Sequence, residues 1–291
     1  MSSAAPSPID LRAMLERLNV AKGDVLYLGV DISKLPLPKI ATRLDKAAFA
    51  AREAQWCEFV ADTLLDAIGP RGTLVFPTFT FSCGRPENAY RHERTPSEVS
   101  RFFEFLRLSP GARRSLHPIF SVGALGAAAG SIVDDVGKAA FGAASPFGRL
   151  YDAGARFLCL GTTLARSLTY AHHLEQTYGC SNRYSKTFDT AVYRGGALVP
   201  GPWLAYVNYR CTGAVADLAR FERRLIEEGV VSSVEHGGYV SQSATAADVS
   251  RIGYRMLAED PSSFMDVKVR IDMVGDDAAG STPTVMSRRV E

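Results

Sequence analysis

VLYLGV, residues 25–30, is an unbroken apolar run set between the polar turn Lys22-Gly23-Asp24 and a polar stretch that begins at Asp31. Six apolar residues without polar alternation read as a strand buried on both faces, as in a parallel sheet covered by helices. Similar runs recur as TLVFPTF (73–79), IFSVGAL (119–125) and RFLCLG (156–161). Helical patterns alternate with them. Leu11, Met14, Leu15 and Leu18 recur at i, i+3, i+4 and i+7 behind a start at Ser7-Pro8, and Phe59, Val60, Leu64, Leu65 and Ile68 form a second stripe. Thr95-Pro96-Ser97-Glu98 has capping-box spacing ahead of Val99, Phe102, Phe103 and Leu106. A small-residue helix and a loop, FGAASPFGRLYD (141–152), lie between the third and fourth strands. Strands alternating with helices over residues 1–180 predict an α/β fold with a largely parallel central sheet flanked by helices.

Beyond residue 190 the pattern changes. TAVYRGGALVP reads as a hairpin turning at Gly195-Gly196. A charged helix (214–228), a strand region near 230–241, a helix capped at Thr245 and the strand VKVRIDMV (267–274) follow. These predict a smaller antiparallel annex. No linker interrupts the chain, so residues 1–275 read as a single domain and 276–291 as a mobile C-terminal tail.

The 291 residues carry 33 basic and 31 acidic side chains, a formal net charge of +2. No basic stripe stands out, which argues against nucleic acid as a partner. No apolar stretch approaches the ~20 residues that span a bilayer, and the N-terminal residues show neither the charge nor the apolar run of a secretory leader. Five scattered cysteines with no CxxC pair fit a reduced, cytoplasmic setting.

Chemistry concentrates at SLTYAHHLEQ (167–176). On a helix Thr169, His172 and Glu175 share one edge, and His173 points about 100° away from His172. A glutamate beside an imidazole fixes its tautomer and raises its basicity, the requirement of a general base. The same spacing also suits a plain surface hydrogen bond. His117, in RRSLHPIFS, precedes a proline where a loop meets a strand; it suits a site residue or a turn histidine equally. GAASPFGR (142–149) would let a ligand approach the backbone, or serve as an ordinary loop. Neither a P-loop nor a GxGxxG fingerprint is present.

Taken in order, these stretches resemble the antibiotic N-acetyltransferase family, the aminoglycoside 3-N-acetyltransferases and their relatives. The resemblance rests on Gly23-Asp24 with Val30-Asp31-Ile32-Ser33, GPRGTLVFPTFT, RRSLHPIFSVGALG, GAASPFGRLYDAGARFLCLG and TYAHHLE, and covers about residues 8–260. It implies direct acetyl transfer from acetyl-CoA to an amine of an amino sugar or aminocyclitol, with no metal. It puts the family's catalytic histidine on His172, not His173, with Glu175 as its acid and Thr169 as an oxyanion donor. Asp31, Ser33, His117, Ser121 and Ser145 fall on the cofactor side, and Thr78 on the acceptor side. The partners implied are a CoA thioester and a small amine, with homodimerisation left open.

Two departures bear on the acceptor. Asp31 stands where the family has a histidine, and an insertion at roughly 34–50 follows it. In addition AYVNYRCTG (205–213) is neutral to basic, so Tyr209 and Arg210 suit an anionic amino sugar better than a polycation. The alternatives are an aminoglycoside-modifying enzyme, an inactive CoA- or sugar-binding homologue, a thiol acyltransferase using Cys180, and a metal hydrolase using His172, Glu175 and His117.

Overall fold

The computed structural model describes residues 10–37, 45–209, 213–274 and 284–290. Helix α1 (Leu11–Arg17) leads into strand β1 (Val25–Val30), then helix α2 (Lys46–Ile68) and strand β2 (Thr73–Pro77). The stripe of α1 is as predicted, with Leu11, Met14, Leu15 and Leu18 buried, but its cap is Asp10, whose carboxylate accepts from the Arg12 N–H at 3.2 Å. Ser7 and Pro8 lie outside the described residues. Helix α2 begins well before its predicted stripe, at the Asp45 cap, and Phe59 faces out at 48% exposure while Cys57, Val60, Ala61, Leu64 and Ile68 face in. Of the expected insertion, residues 46–50 are the first turns of α2, and 38–44 lie outside the described residues.

Next come β3 (Tyr90–Arg91), α3 (Arg101–Leu108), β4 (Arg113–Arg114), β5 (Val122–Gly126), α4 (Ala129–Val133), α5 (Pro146–Asp152), β6 (Arg156–Leu160), α6 (Leu164–Ser167) and α7 (Tyr170–Tyr178). The predicted capping box does not cap. Ser100 caps α3 by accepting from the Phe103 N–H at 3.2 Å, while Thr95 accepts from the Arg91 N–H and Glu98 from Ser82. Residues 146–152, expected as loop, are helical: Ser145 is the cap and Pro146 fills the first turn, where its missing N–H costs nothing.

The remaining elements are β7 (Arg183–Phe188), β8 (Val192–Arg194), β9 (Ala197–Val199), β10 (Trp203–Asn208), α8 (Ala219–Glu227), β11 (Ser232–His236), β12 (Tyr239–Thr245), α9 (Ala246–Glu259), β13 (Lys268–Val274) and β14 (Thr284–Val290). The β8–β9 hairpin turns at Gly195-Gly196 as predicted, and both residues have positive φ, which only glycine adopts without strain. Thr245 caps α9 as predicted, accepting from the Asp248 N–H at 3.1 Å. Residues 284–290, in the segment expected to be a mobile tail, form a strand antiparallel to β13.

The central sheet has the order β11-β12-β6-β1-β2-β5-β4. β6, β1 and β2 are mutually parallel, whereas β12 and β5 run against them and β11 and β4 run with them. Small antiparallel ribbons, β7–β10 and β13–β14, and the three-stranded β3-β8-β9 sheet complete the fold. The double-sided burial read from VLYLGV is the organising fact. Leu26 and Leu28 pack toward α1, α2 and α3, while Tyr27 packs toward the layer holding α4 to α9. β6 alternates likewise, with Leu158 and Leu160 on one side and Phe157 and Cys159 on the other. Each such side chain contributes about 1.5–3 kcal/mol of transfer free energy.

Candidate active site

The site forms where β1 and β6 end side by side, the carboxyl edge at which open α/β sheets bind ligands. β6 runs out into Gly161, which has φ +65°, and a Cβ there would meet the Asp31 carbonyl at 2.7 Å. Glycine therefore lets the two chain ends converge. The Gly161 N–H donates to Ser241 Oγ at 2.8 Å, so that donor is occupied. The first N–H groups of α6 are held by side chains: Leu164 N–H donates to Gln242 Oε1 and Ala165 N–H to Glu222 Oε2, each at 2.8 Å. Gln242 in turn donates to Glu222 at 2.9 Å. This polar strut fixes α6, and α6 fixes α7.

Thr169 starts α7, and its carbonyl accepts from the His172 N–H at 3.0 Å. Its side chain lies against the Tyr27 hydroxyl, whose ionisation is pushed far up by burial despite that contact. Tyr170, Ala171, His173, Leu174 and Glu175 are buried; the His172 side chain keeps 29% exposure. His172 Nδ1 lies 3.0 Å from Glu175 Oε2. An ionised carboxylate only accepts, so Nδ1 is the donor and the Nε2 lone pair is the one available. The Phe141 ring packs edge-on at 5.5 Å. Glu175 is 1% exposed, and Arg183 Nη2, from the first residue of β7, lies 2.8 Å from the same Oε2. His173 is the neighbour that the spacing turned away: it packs on Tyr170 at 4.9 Å, and burial, opposed by a backbone contact from Gly142, lowers its pKa to about 4.

The expected cofactor-side residues divide. Asp31 and Ser33 sit at the β1 exit. Burial works against the Asp31 charge, but the Lys34 ammonium at 2.8 Å and the Ser33 hydroxyl at 2.6 Å outweigh it and hold the carboxyl below its ordinary range. Ser33 is exposed. His117, Ser121 and Ser145 are buried and already engaged. His117 Nδ1 accepts from Ile119 and Phe120 N–H at 3.1 and 2.9 Å, and its Nε2 donates to the Leu204 carbonyl at 3.1 Å. Burial lowers its pKa to about 4, so it is neutral. Ser121 donates to the Thr78 carbonyl at 2.8 Å, and the buried Arg114 Nε reaches Ser121 Oγ and Thr78 Oγ1 at 3.0 and 3.1 Å. Ser145 caps α5 and donates to the Gly142 carbonyl at 2.6 Å.

On the expected acceptor side, Thr78 is fully buried in that Arg114 bracket, and Tyr209 stacks on Tyr184 at 4.7 Å. Arg210 lies outside the described residues. Cys180 is buried, and burial, with Glu175 adding to it, pushes its thiol up to about 12, so a thiolate nucleophile is not at hand. Among the described residues no group of three or more His, Cys, Asp or Glu could hold a metal ion, and no helix is long and apolar enough to cross a membrane. Sequence reasoning missed Glu222 and Gln242, which act through partners remote in the chain, and Arg183, which meets Glu175 from beyond the end of α7, where helical spacing no longer applies.

Residues 48–258 match the model of the aminoglycoside 3-N-acetyltransferase family. Aminoglycoside N(3)-acetyltransferase VIII of Streptomyces fradiae is 33% identical over 258 residues, covering 82% of this chain and 80% of the relative. Aminoglycoside N(3)-acetyltransferase VII of Streptomyces paromomycinus is 36% identical over 137 residues, covering 40% of this chain and 47% of that protein. The fold is shared with AAC-IIIb, solved as a binary complex with CoASH, at TM-score 0.69 and 23% identity over 86% of this chain and 95% of that one. Aminoglycoside acetyltransferase AAC(3)-Xa superposes at TM-score 0.68 with 23% identity, over 85% and 91%. A family match along most of the chain, with a relative one-third identical over four-fifths of both lengths, makes this chain a member of the aminoglycoside 3-N-acetyltransferase family and hence an acyltransferase.

Proposed function

We propose that the chain transfers the acetyl group of acetyl-CoA to an amine of an aminocyclitol or amino sugar, with His172 as general base. The observation that carries this reading is the His172–Glu175 contact at 3.0 Å on an imidazole that keeps an exposed edge. Glu175 holds the Nδ1 proton, so Nε2 takes a proton from the acceptor ammonium. The free amine attacks the thioester carbonyl. The tetrahedral adduct collapses with cleavage of the C–S bond, the His172 imidazolium returns its proton to the departing thiolate to give the CoA thiol, and the new amide nitrogen loses its extra proton to solvent. The Thr169 hydroxyl and the N–H groups of Thr162 and Thr163 are the donors assigned to the oxyanion, since the Gly161 N–H is already committed to Ser241. Asp31 and Ser33 are assigned to the CoA side. His117, Ser121 and Ser145 support its walls from behind, because their polar atoms are engaged within the fold.

The two Streptomyces relatives support the amine of an aminoglycoside as acceptor, in place of the anionic amino sugar expected from residues 205–213. The test is CoA thiol release, followed with a thiol-reactive chromophore, across aminoglycosides and nucleotide-linked amino sugars. His172→Ala is expected to lower turnover about 100-fold or more while CoA binding persists. Undiminished turnover by that variant would remove His172 as the base, and turnover confined to nucleotide amino sugars would overturn the acceptor.

A further inference from the structure

His172 Nδ1 and Arg183 Nη2 meet the same oxygen, Glu175 Oε2, at 3.0 and 2.8 Å. The imidazole and the guanidinium are therefore within about 6 Å of each other, across a carboxylate that is 1% exposed. The other carboxylate oxygen, Oε1, has no hydrogen-bond partner, and neither do Arg183 Nε and Nη2, so the guanidinium meets Glu175 at Oε2 as an ion pair rather than through a hydrogen bond. A carboxylate this deeply buried stays ionised only beside a compensating cation. The Arg183 side chain, 3% exposed, is that cation, and its Nη1 is tied to the Tyr206 carbonyl at 3.3 Å. The other titratable groups facing the cluster, Cys180 and Tyr206, are both raised chiefly by burial and so are neutral at working pH; His173 is turned away onto Tyr170.

From this we infer that Arg183 is a positioning residue that sets the working pH of the catalytic imidazole, by offsetting the charge of Glu175. The inference rests on His172 being the base. Glu175 alone would favour the imidazolium, which cannot accept a proton from the acceptor. Paired with Arg183, Glu175 orients the ring through Nδ1 while the summed charge behind it is zero. The dyad is thus a triad of His172, Glu175 and Arg183, with its third member on a different element.

The experiment is the acid limb of kcat/KM against pH for wild type, Arg183→Met, Glu175→Gln and the double variant Glu175→Gln/Arg183→Met, with His172→Ala alongside. Arg183→Met should move the acid limb up by about one pH unit or more, and Glu175→Gln should move it down. The double variant restores a neutral background and should return close to wild type. It buries no unpaired charge, so it stays informative if Arg183→Met does not fold. Equal acid limbs for Glu175→Gln and the double variant would overturn the inference and leave Arg183 a packing residue. Full activity in His172→Ala would instead overturn the reading beneath it. A direct check is the NMR titration of the His172 ring, assigned by its loss in His172→Ala, which should follow the same order.

Discussion

At the scale of single residues, burial has divided the histidines by task. His172 keeps an exposed edge, whereas His117 and His173 are sealed and neutral down to about pH 4. In an unfolded chain both would protonate near 6.5. Between those values the unfolded chain holds the extra protons, so the stability present above about pH 6.5 is lost as pH falls toward 4. Each imidazole contributes at most about 1.4 kcal/mol per pH unit over that window. Urea midpoints should drop steeply from pH 7 to 4.5, and less steeply in His117→Asn, whose amide oxygen can take over the backbone N–H groups now bonded to Nδ1. An unchanged slope in that variant would mean that His117 is not held neutral. TYAHHLE was legible at this scale because i, i+3 spacing on a helix is local geometry. The same sequence could not show that His117 turns inward: its partners are the carbonyl of Leu204 and the N–H groups of its own turn, and only the first of these closes the ring off.

Among the elements, α7 is placed by contacts that a strand makes through an absent side chain. A Cβ on Gly29 of β1 would lie 2.4 Å from Ser167 Cβ, so α6 rests directly on the strand backbone. Gly29→Ala should push α6 away and tilt Thr169 and His172 out of register, lowering turnover at least 10-fold, since a misplacement of about 1 Å can cost 100-fold. Ser167→Gly in the same chain removes the colliding atom and should recover part of the rate. Failure of the pair to recover any would place the defect elsewhere. The strands and the buried stripes were legible from apolar runs. β7 was not: its residues from Tyr184 to Thr187 are polar and exposed, and only its two ends, Arg183 and Phe188, face in. The α5 helix carried a readable signal, Ser145-Pro146 before Phe147 and Leu150, which the small residues around it obscured. The Thr95–Glu98 box misled because its side chains serve a loop, and spacing alone does not say which N–H groups a hydroxyl will meet.

For the whole molecule, the three-layer plan followed from strands apolar on both faces, and its antiparallel flanks did not. β12 and β5 run against the central three, and nothing in a short apolar run states its direction. β6 lies between β1, which precedes it in the chain, and β12, which follows it. A chain ending at Gly229 would lose β11, β12 and α9, leaving β6 as a bare apolar edge and stripping the buried Val249, Ile252 and Leu257 from the core. Such a fragment should aggregate and release no CoA thiol. A soluble, active fragment would show that the flank is dispensable.

The place of β6 also bears on time. The ribosome delivers β1, β6 and α7 well before β12 and α9, so the nascent chain holds the histidine helix without the surfaces it packs against. Long-range pairings of this kind form slowly, because a large loop must close before any contact rewards it. The enzyme therefore becomes competent late in its own synthesis, and until then the open edge of β6 is the one most in need of a chaperone's cover.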